Sequence, residues 1–319
     1  MTLAFTPRPF QPANHDQFEV TAAGLGRYTI DVSLPAGYAT SGQTYPVILV
    51  VDGNLLFDVV QTVAHGRFAS VAPVLPPSIL VGVGYPADEG FASFYARRNS
   101  DFHDDWDMTD PLGQALRGIF NALKTADGKP HLTIGTGGYP RFMAFLRDEL
   151  LPALAGRYPI DLAGRHTLIG DSSGGHFALR ALFDPSNPFR RHVVISPGFS
   201  AGDDAIQRAA AAYAASHDDL DVDVFVCCGT VEVDAEPVAA LCRFGTGVMW
   251  TAEWFGVRHW PSARCKWEVM NHEDHTSIAP RAVAAGLRSV HSRRPGVHDQ
   301  ELRAAAAVAQ QAMLERRNN

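Results

Sequence analysis

Six short segments of this sequence have the pattern of buried strands and recur at intervals along the chain, and the first of them is continuously aliphatic over most of its length. They are residues 45–53, 78–84, 166–170, 192–196, 222–229 and 265–270. A strand with apolar side chains on both faces is typical of a parallel sheet that helices cover on both sides. The first prediction is therefore a central sheet built from these segments.

Helical patterns fall between the predicted strands. Residues 141–158 place apolar side chains three and four positions apart, and residues 175–183 form a second apolar helical pattern. Residues 26–35 instead alternate apolar and polar side chains, which predicts a half-exposed strand near an edge of the sheet. Strands that alternate with helices predict the α/β class, with a mostly parallel central sheet flanked by helices on both faces.

The composition agrees with one large core. The 319 residues are 46% hydrophobic and 19% charged, and no linker divides them. We therefore predict a single domain over residues 1–319, with its core at about 18–287 and a C-terminal helical extension at 299–319.

Charge, apolar runs and cysteines narrow the class of protein. A net charge of -7 argues against a nucleic-acid partner, because phosphate binding needs clustered Lys and Arg. No apolar run is long enough to cross a bilayer, and the N-terminus lacks the apolar stretch of a signal peptide. Four cysteines do not make a disulfide framework in a chain of this size. We expect a cytoplasmic protein, whose oligomeric state the sequence does not indicate.

The segment LIGDSSGGHF, residues 168–177, places Ser172 at a sharp turn between a predicted strand and a predicted helix. The pattern Gly-x-Ser-x-Gly in that context indicates a nucleophilic serine. Gly170 and Gly174 would remove side chains that crowd the neighbouring strand and helix. The first amides of the helix could stabilise an oxyanion. The alternative is that Ser172 merely caps the helix.

A nucleophilic serine needs a base and an acid that orients the base, and in this arrangement they follow later strands in the order Ser, acid, His. Glu232 and Asp234 come after the strand at 222–229, whereas His272 and His275 come after the strand at 265–270. The two histidines could also be ordinary loop residues. Their spacing is not that of a zinc-binding His-Glu-x-x-His helix, so we predict no metal there, and a reaction by the triad needs no cofactor.

Two regions interrupt the alternation of strands and helices. Residues 91–110 are acidic and aromatic, and residues 244–264 contain three tryptophans. Long excursions from a compact sheet are frequently binding loops or lids. The tryptophans of the segment 244–260 could stack on a substrate or simply pack within the protein.

Several motifs in succession resemble one branch of the α/β-hydrolases. They are SLPAGY, YPVILVVDGNLLF, LVGVGYP, RRNSDF, FLRDELLPAL, LIGDSSGG and ISPGF. The sequence is similar to the branch that includes the trilactone siderophore esterases and the esterase D type enzymes. The resemblance implies a serine esterase with Ser172 as nucleophile, His275 as base and Glu232 as acid, and with Asp234 as the second choice of acid.

The resemblance also implies further site residues. The backbone N–H groups of Asn54 and Ser173 would form the oxyanion hole. An arginine of the RRNSD segment would contact the substrate, and Arg98 is preferred to Arg97. One departure is Asp171, since the family often carries His before the nucleophile. A carboxylate near the oxyanion site would oppose negative charge unless it points away or is paired.

These observations lead to three functional hypotheses. The first is hydrolysis of a small-molecule carboxylic ester through an acyl-enzyme, with a siderophore-type or a small acyl ester as substrate. The second is transfer of the acyl group to an alcohol by the same triad. The third is a catalytically silent binding protein on the hydrolase fold.

Overall fold

The computed structural model describes residues 14–66, 75–106, 135–199, 204–234 and 241–292, together with some positions between 109 and 118. Eight strands form one sheet. The strands are β1 His15–Ala22, β2 Gly26–Ser33, β3 Val47–Val51, β4 Ile79–Gly84, β5 His166–Asp171, β6 Phe189–Ile195, β7 Asp223–Gly229 and β8 Arg264–Met270. All six predicted segments are strands of this sheet, but β8 is an edge strand and is mostly exposed or half-buried, so the expected burial on both faces is wrong for it.

The strand order is β1-β2-β4-β3-β5-β6-β7-β8. β2 pairs antiparallel with β1 and β4, and the remaining neighbours pair parallel. The half-exposed strand predicted at 26–35 is β2, but it is second from the edge and mostly buried. β1, which the sequence pattern did not reveal, occupies the edge because its own residues are largely exposed or half-buried.

Helices connect the parallel strands. They are α1 Tyr38–Ser41, α2 Gly53–His65, α3 Gly90–Phe102, α4 Tyr139–Ala144, α5 Leu151–Ala155, α6 Ser173–Ala181, α7 Ala205–Ser216, α8 Thr230–Asp234, α9 Phe244–Arg258 and α10 Ile278–His291. A π-helical stretch, Phe145–Leu150, joins α4 to α5. The helical pattern predicted at 141–158 is thus one long segment with a π-helical middle.

Each face of the sheet has its own core. Alternating side chains of β5 separate the two, since Leu168 belongs to one apolar cluster and Ile169 to the other. The cluster around Leu168 includes side chains of α3, α4, α6, α7 and α9. The cluster around Ile169 includes side chains of α2 and α10. The predicted α/β-hydrolase class, a mostly parallel sheet with helices on both faces, is confirmed.

The two predicted excursions from the sheet are largely helical. α3 covers most of the first region, and α9 covers most of the second. In the second region, Trp254 lies 4.6 Å from Phe183 and Trp250 lies 5.3 Å from Phe199, measured between ring centroids. These tryptophans pack within the protein. The C-terminal helical extension predicted at 299–319 lies outside the described residues, and the single domain stays a prediction.

Candidate active site

Ser172 lies at the carboxyl end of β5, immediately before α6, and its backbone is strained. Its φ of 60° and ψ of -118° are values that a residue with a side chain rarely adopts. Its N–H donates to the carbonyl of Ile195 at 3.0 Å. Its side chain makes no capping hydrogen bond to the helix, so the structure gives no support to the capping alternative.

Glycines make this turn possible. A Cβ at Gly170 would lie 2.0 Å from the carbonyl oxygen of Gly174, and a Cβ at Gly175 would lie 2.2 Å from that of Ile195. At Gly174 a Cβ would come within 3.0 Å of a methyl group of Val51. The close approach inferred from the sequence for Gly170 and Gly174 is therefore present, and Gly175 adds a third tight contact.

Glu232 and His275 form a hydrogen-bonded pair beyond the ends of β7 and β8. The distance from Glu232 Oε1 to His275 Nδ1 is 2.5 Å, and the carboxylate is buried. The other carboxylate oxygen, Oε2, accepts hydrogen bonds from Ser196 Oγ at 2.8 Å and from the N–H of Gly229 at 2.5 Å. Asp234, the alternative acid, is exposed at the end of α8. The geometry thus pairs the histidine with Glu232.

The imidazole of His275 is also held by an aromatic ring. Phe244, the first residue of α9, stacks on it with a centroid distance of 4.7 Å and an interplanar angle of 11°. About a third of the His275 side chain is exposed. His272 is exposed and has a positive φ of 64°, and its N–H donates to Thr230 Oγ1. The two histidines of this loop therefore have different surroundings.

Sequence reasoning missed two of these contacts. Ser196 stood within a motif of the resemblance, but nothing in the pattern linked its hydroxyl to Glu232. Its positive φ of 42° is a second strained backbone position at this edge of the sheet. Phe244 had no sequence signal, because a ring that stacks on a distant histidine follows no local spacing.

The two predicted oxyanion residues each lie in the first turn of a helix. Asn54 is the second residue of α2, and Ser173 is the first residue of α6. The Asn54 side chain is clamped to the backbone of Tyr85, donating to its carbonyl at 2.7 Å and accepting from its N–H at 2.6 Å. Amides in a first turn lack partners within the helix. The oxyanion hole itself stays a prediction.

Arg98 is buried, and this position differs from the one expected of a substrate contact. Its Nε and Nη2 both donate to the Asp52 carboxylate, with Nη2 2.6 Å from Oδ2. Arg98 is 6% exposed and Asp52 is 1% exposed. Asp52 directly precedes α2, so the ion pair fixes the start of the helix that carries Asn54. Arg97 is engaged as well, since it pairs with Glu89.

Asp171, the residue before the nucleophile, is half-buried. Its Oδ1 is shielded from solvent and has no hydrogen-bond partner among the described residues. Burial raises the pKa of this carboxyl to about 7, while the charges of His275 and Arg98 act to lower it. The Ser172 turn and the Glu232–His275 pair are joined through the end of β6, because Ser172 N–H donates to Ile195 and the next residue, Ser196, donates to Glu232.

Some features are absent from the part of the chain that the structure describes. Within it, no group of three or more His, Cys, Asp or Glu side chains is placed to hold a metal ion. No helix in that part has the length and apolar character needed to cross a membrane.

Comparison with known proteins gives matches in sequence and in structure. The family model described as "Putative esterase" matches residues 132–314, which is more than half of the chain. The siderophore triacetylfusarinine C esterase of Aspergillus fumigatus is 30% identical over 194 residues, covering 60% of this chain and 58% of that protein. The siderophore enterobactin esterase of Emericella nidulans is 29% identical over 200 residues, covering 61% of each.

These matches span less than two thirds of the length of both curated relatives. The structural match is more extensive. The crystal structure of the BES protein from Bacillus cereus superposes with a TM-score of 0.72 and 25% sequence identity. It covers 90% of this chain and 99% of that one.

Proposed function

Since this chain belongs to the esterase family, we propose that it hydrolyses a carboxylic ester through an acyl-enzyme intermediate. The observation that carries the proposal is the 2.5 Å hydrogen bond between Glu232 and His275, in a site that also holds the strained turn of Ser172. The order Ser, acid, His along the chain and the position of each residue after a different strand support the same assignment.

In the proposed reaction, Ser172 Oγ attacks the ester carbonyl while His275 Nε2 takes the serine proton. His275 Nδ1–H donates to Glu232, which selects the tautomer that leaves Nε2 able to accept. The imidazolium then returns the proton to the leaving alcohol. Water attacks the acyl-enzyme by the same route, and the carboxylic acid leaves.

Glu232 is held in place by hydrogen bonds on both of its carboxylate oxygens. Ser196 and the N–H of Gly229 donate to one of its oxygens, and His275 bonds to the other. In this position the Glu232 carboxylate stabilises the imidazolium that develops in the transition state. Phe244 restricts the rotation of the imidazole by stacking on it.

The amides of Asn54 and Ser173 would stabilise the oxyanion. Both belong to the first turns of helices, where backbone N–H groups lack partners within the helix. Arg98 acts in this proposal as a positioning residue, because it holds Asp52 at the start of α2. This role replaces the substrate contact expected from the sequence.

The substrate proposed is a siderophore-type ester. Two similar proteins are named as siderophore esterases, one for triacetylfusarinine C and one for enterobactin. A cytoplasmic location is part of the same proposal. All four cysteines are free thiols, as expected in a reducing compartment.

The test combines covalent labelling with product analysis. The intact protein is incubated with a fluorophosphonate and the adduct is mapped by mass spectrometry. We expect one adduct on Ser172, none in Ser172→Ala, and normal labelling in the matched control Ser173→Ala, which keeps the backbone amide. Ferric triacetylfusarinine C and ferric enterobactin are then offered as substrates, and ring-opened products are followed by liquid chromatography.

Two outcomes would contradict the proposal. An adduct that persists in Ser172→Ala would remove Ser172 as the nucleophile. Labelling of Ser172 with no release of product from either trilactone would retain the serine hydrolase and reject the siderophore-type substrate.

A further inference from the structure

Asp171 is the acidic side chain next to the nucleophile, and the reaction described above does not use it. On β5, Thr167, Ile169 and Asp171 share one face because strand side chains alternate. Thr167 Oγ1 lies 3.1 Å from His291 Nε2 of α10, and Ile169 packs in the cluster that contains α2 and α10 side chains. Asp171 therefore lies at the top of that core, beneath the active site.

The surroundings of Asp171 supply little to stabilise a negative charge. Its Oδ1 is buried and without a hydrogen-bond partner among the described residues. Asp52, by contrast, is neutralised by Arg98, and Glu232 accepts hydrogen bonds on both oxygens. The Arg98 guanidinium is directed to the Asp52 carboxylate, and it donates to the backbone carbonyl of Asp171 at 3.4 Å.

Titratable and charged groups reach Asp171 from each element around it. Two of them are acidic and oppose its ionisation, and two are basic and favour it. The thiol of β7 is itself affected by the Asp171 charge. The two acidic groups are Glu232 of α8 and Asp52 before α2, the two basic groups are His275 of the loop after β8 and Arg98 of α3, and the thiol is Cys227 of β7.

We propose that Asp171 is a protonated carboxylic acid in the fast form of the enzyme, and that its ionisation slows attack by Ser172 and sets the alkaline limit of activity. The proposal rests on the proposed function. An ionised carboxylate one residue from Ser172 repels the oxyanion that develops in the transition state. It also stabilises protonated His275, so that less of the neutral base is present.

The raised pKa of Asp171, about 7, agrees with this geometry and has burial as its largest cause. Because Asp171 and His275 interact, the two ionisations belong to the pair, and the rate profile reports their joint behaviour. Protonation of His275 lowers the rate on the acidic side, and ionisation of Asp171 lowers it on the alkaline side. The result is a bell-shaped profile.

The experiment compares pH profiles between pH 5 and about 9.5 for the wild type, Asp171→Asn and Asp171→Ser. Two rates are measured on the whole protein: kcat/KM with a p-nitrophenyl ester, and fluorophosphonate labelling of Ser172. In the wild type both rates should fall about tenfold from their maximum to the alkaline end. Asp171→Asn should keep the fall in rate on the acidic side and lose the fall on the alkaline side. Asp171→Ser is the second variant, in case the asparagine amide disturbs the turn, and the same profile is expected for it.

The matched control is Asp148→Asn, which removes one exposed carboxylate paired with Arg147, outside the site. It should retain the wild-type profile. A fall in rate on the alkaline side that persists unchanged in both Asp171 variants would overturn the inference. A wild-type rate that stays at its maximum to the alkaline end of the range would overturn it as well. Absence of Ser172 labelling at every pH would instead reject the proposed function, so the two failures are distinguishable.

Discussion

Two regions of the site each place a carboxyl group at the same edge of the sheet, but they differ in the hydrogen-bond donors that they offer to it. After β7, Glu232 accepts hydrogen bonds from Ser196, Gly229 and His275. After β5, the buried Oδ1 of Asp171 has no such donor among the described residues. The comparison shows that two carboxyl groups at one edge of the sheet differ in their hydrogen-bond donors, since Glu232 has three and the buried oxygen of Asp171 has none among the described residues.

Backbone geometry explains the difference. Beyond β7 the short helix α8 brings Glu232 back over the N–H of Gly229, at the point where Ser196 comes from the neighbouring strand. Beyond β5 the chain turns within one residue, and its close contacts are made by glycines, which carry no donor side chain. The turn at Ser172 therefore leaves the buried Asp171 Oδ1 without a hydrogen-bond donor among the described residues.

The largest expected effect comes from removing the negative charge of Glu232, the carboxyl group with several hydrogen-bond donors. Glu232→Gln should lower kcat by about ten-thousandfold, because the amide no longer stabilises the imidazolium or selects its tautomer. Steady-state kinetics with a p-nitrophenyl ester measures the loss of kcat. Asp234→Asn, two residues away and exposed, should leave kcat unchanged, and an equal loss in that variant would show that the pairing with Glu232 is not the cause.

The next effect concerns the ion pair between Arg98 and Asp52, which lies at the start of α2 and next to the Asp171 carbonyl. Arg98→Met leaves Asp52 buried without its cation, and should reduce the free energy of unfolding by about 3–5 kcal/mol. Urea denaturation measures the change. The double variant Arg98→Met with Asp52→Asn should recover much of the loss, and an additive further loss would contradict a charge-based explanation.

A smaller effect is expected when one donor is removed from Glu232. Ser196→Ala deletes the hydroxyl that bonds Oε2 and should lower kcat/KM about tenfold, with a stability loss of about 1–2 kcal/mol. The matched control is Ser186→Ala, which removes a similar bond to Asp184 on the surface. Equal effects on activity in the two variants would reject a role for Ser196 in the site.

The smallest effect is a change of stability with pH. The pKa of folded Asp171, about 7, lies above its ordinary value of 3.8, so ionisation opposes folding. This cost is absent below about pH 4, grows up to about pH 7 and is constant above it. The melting temperature of Asp171→Asn should therefore exceed that of the wild type by a few degrees at pH 8 and match it at pH 4.

Asp148→Asn should show the opposite sign in the same melting experiment. Arg147 lowers the pKa of Asp148, so its charge favours folding above its ordinary pKa and that contribution is lost in acid. The variant should be slightly less stable than the wild type at pH 8. Differences of the same sign for Asp148→Asn and Asp171→Asn would contradict the comparison between stabilised and unstabilised carboxyl groups.

Much of the fold followed from local pattern. Five of the predicted segments, β3 to β7, were recognisable because a strand buried on both faces has few polar side chains. β8, at one edge of the sheet, is mostly exposed or half-buried. β1 escaped prediction because it is the exposed edge and needs no such pattern. The sequence pattern does not predict helices at α3 and α9, because their aromatic residues pack against partners that are distant in sequence.

For the site, the sequence by itself determined the turn around Ser172 and the strands after which an acid and a histidine follow, because glycine spacing and strand order are local properties. Tertiary structure decided that Glu232 rather than Asp234 contacts His275, that Phe244 stacks on the imidazole and that Arg98 turns to Asp52. Those contacts join residues on separate elements. Their distances depend on how helices pack against the sheet, and no spacing along the chain encodes that packing.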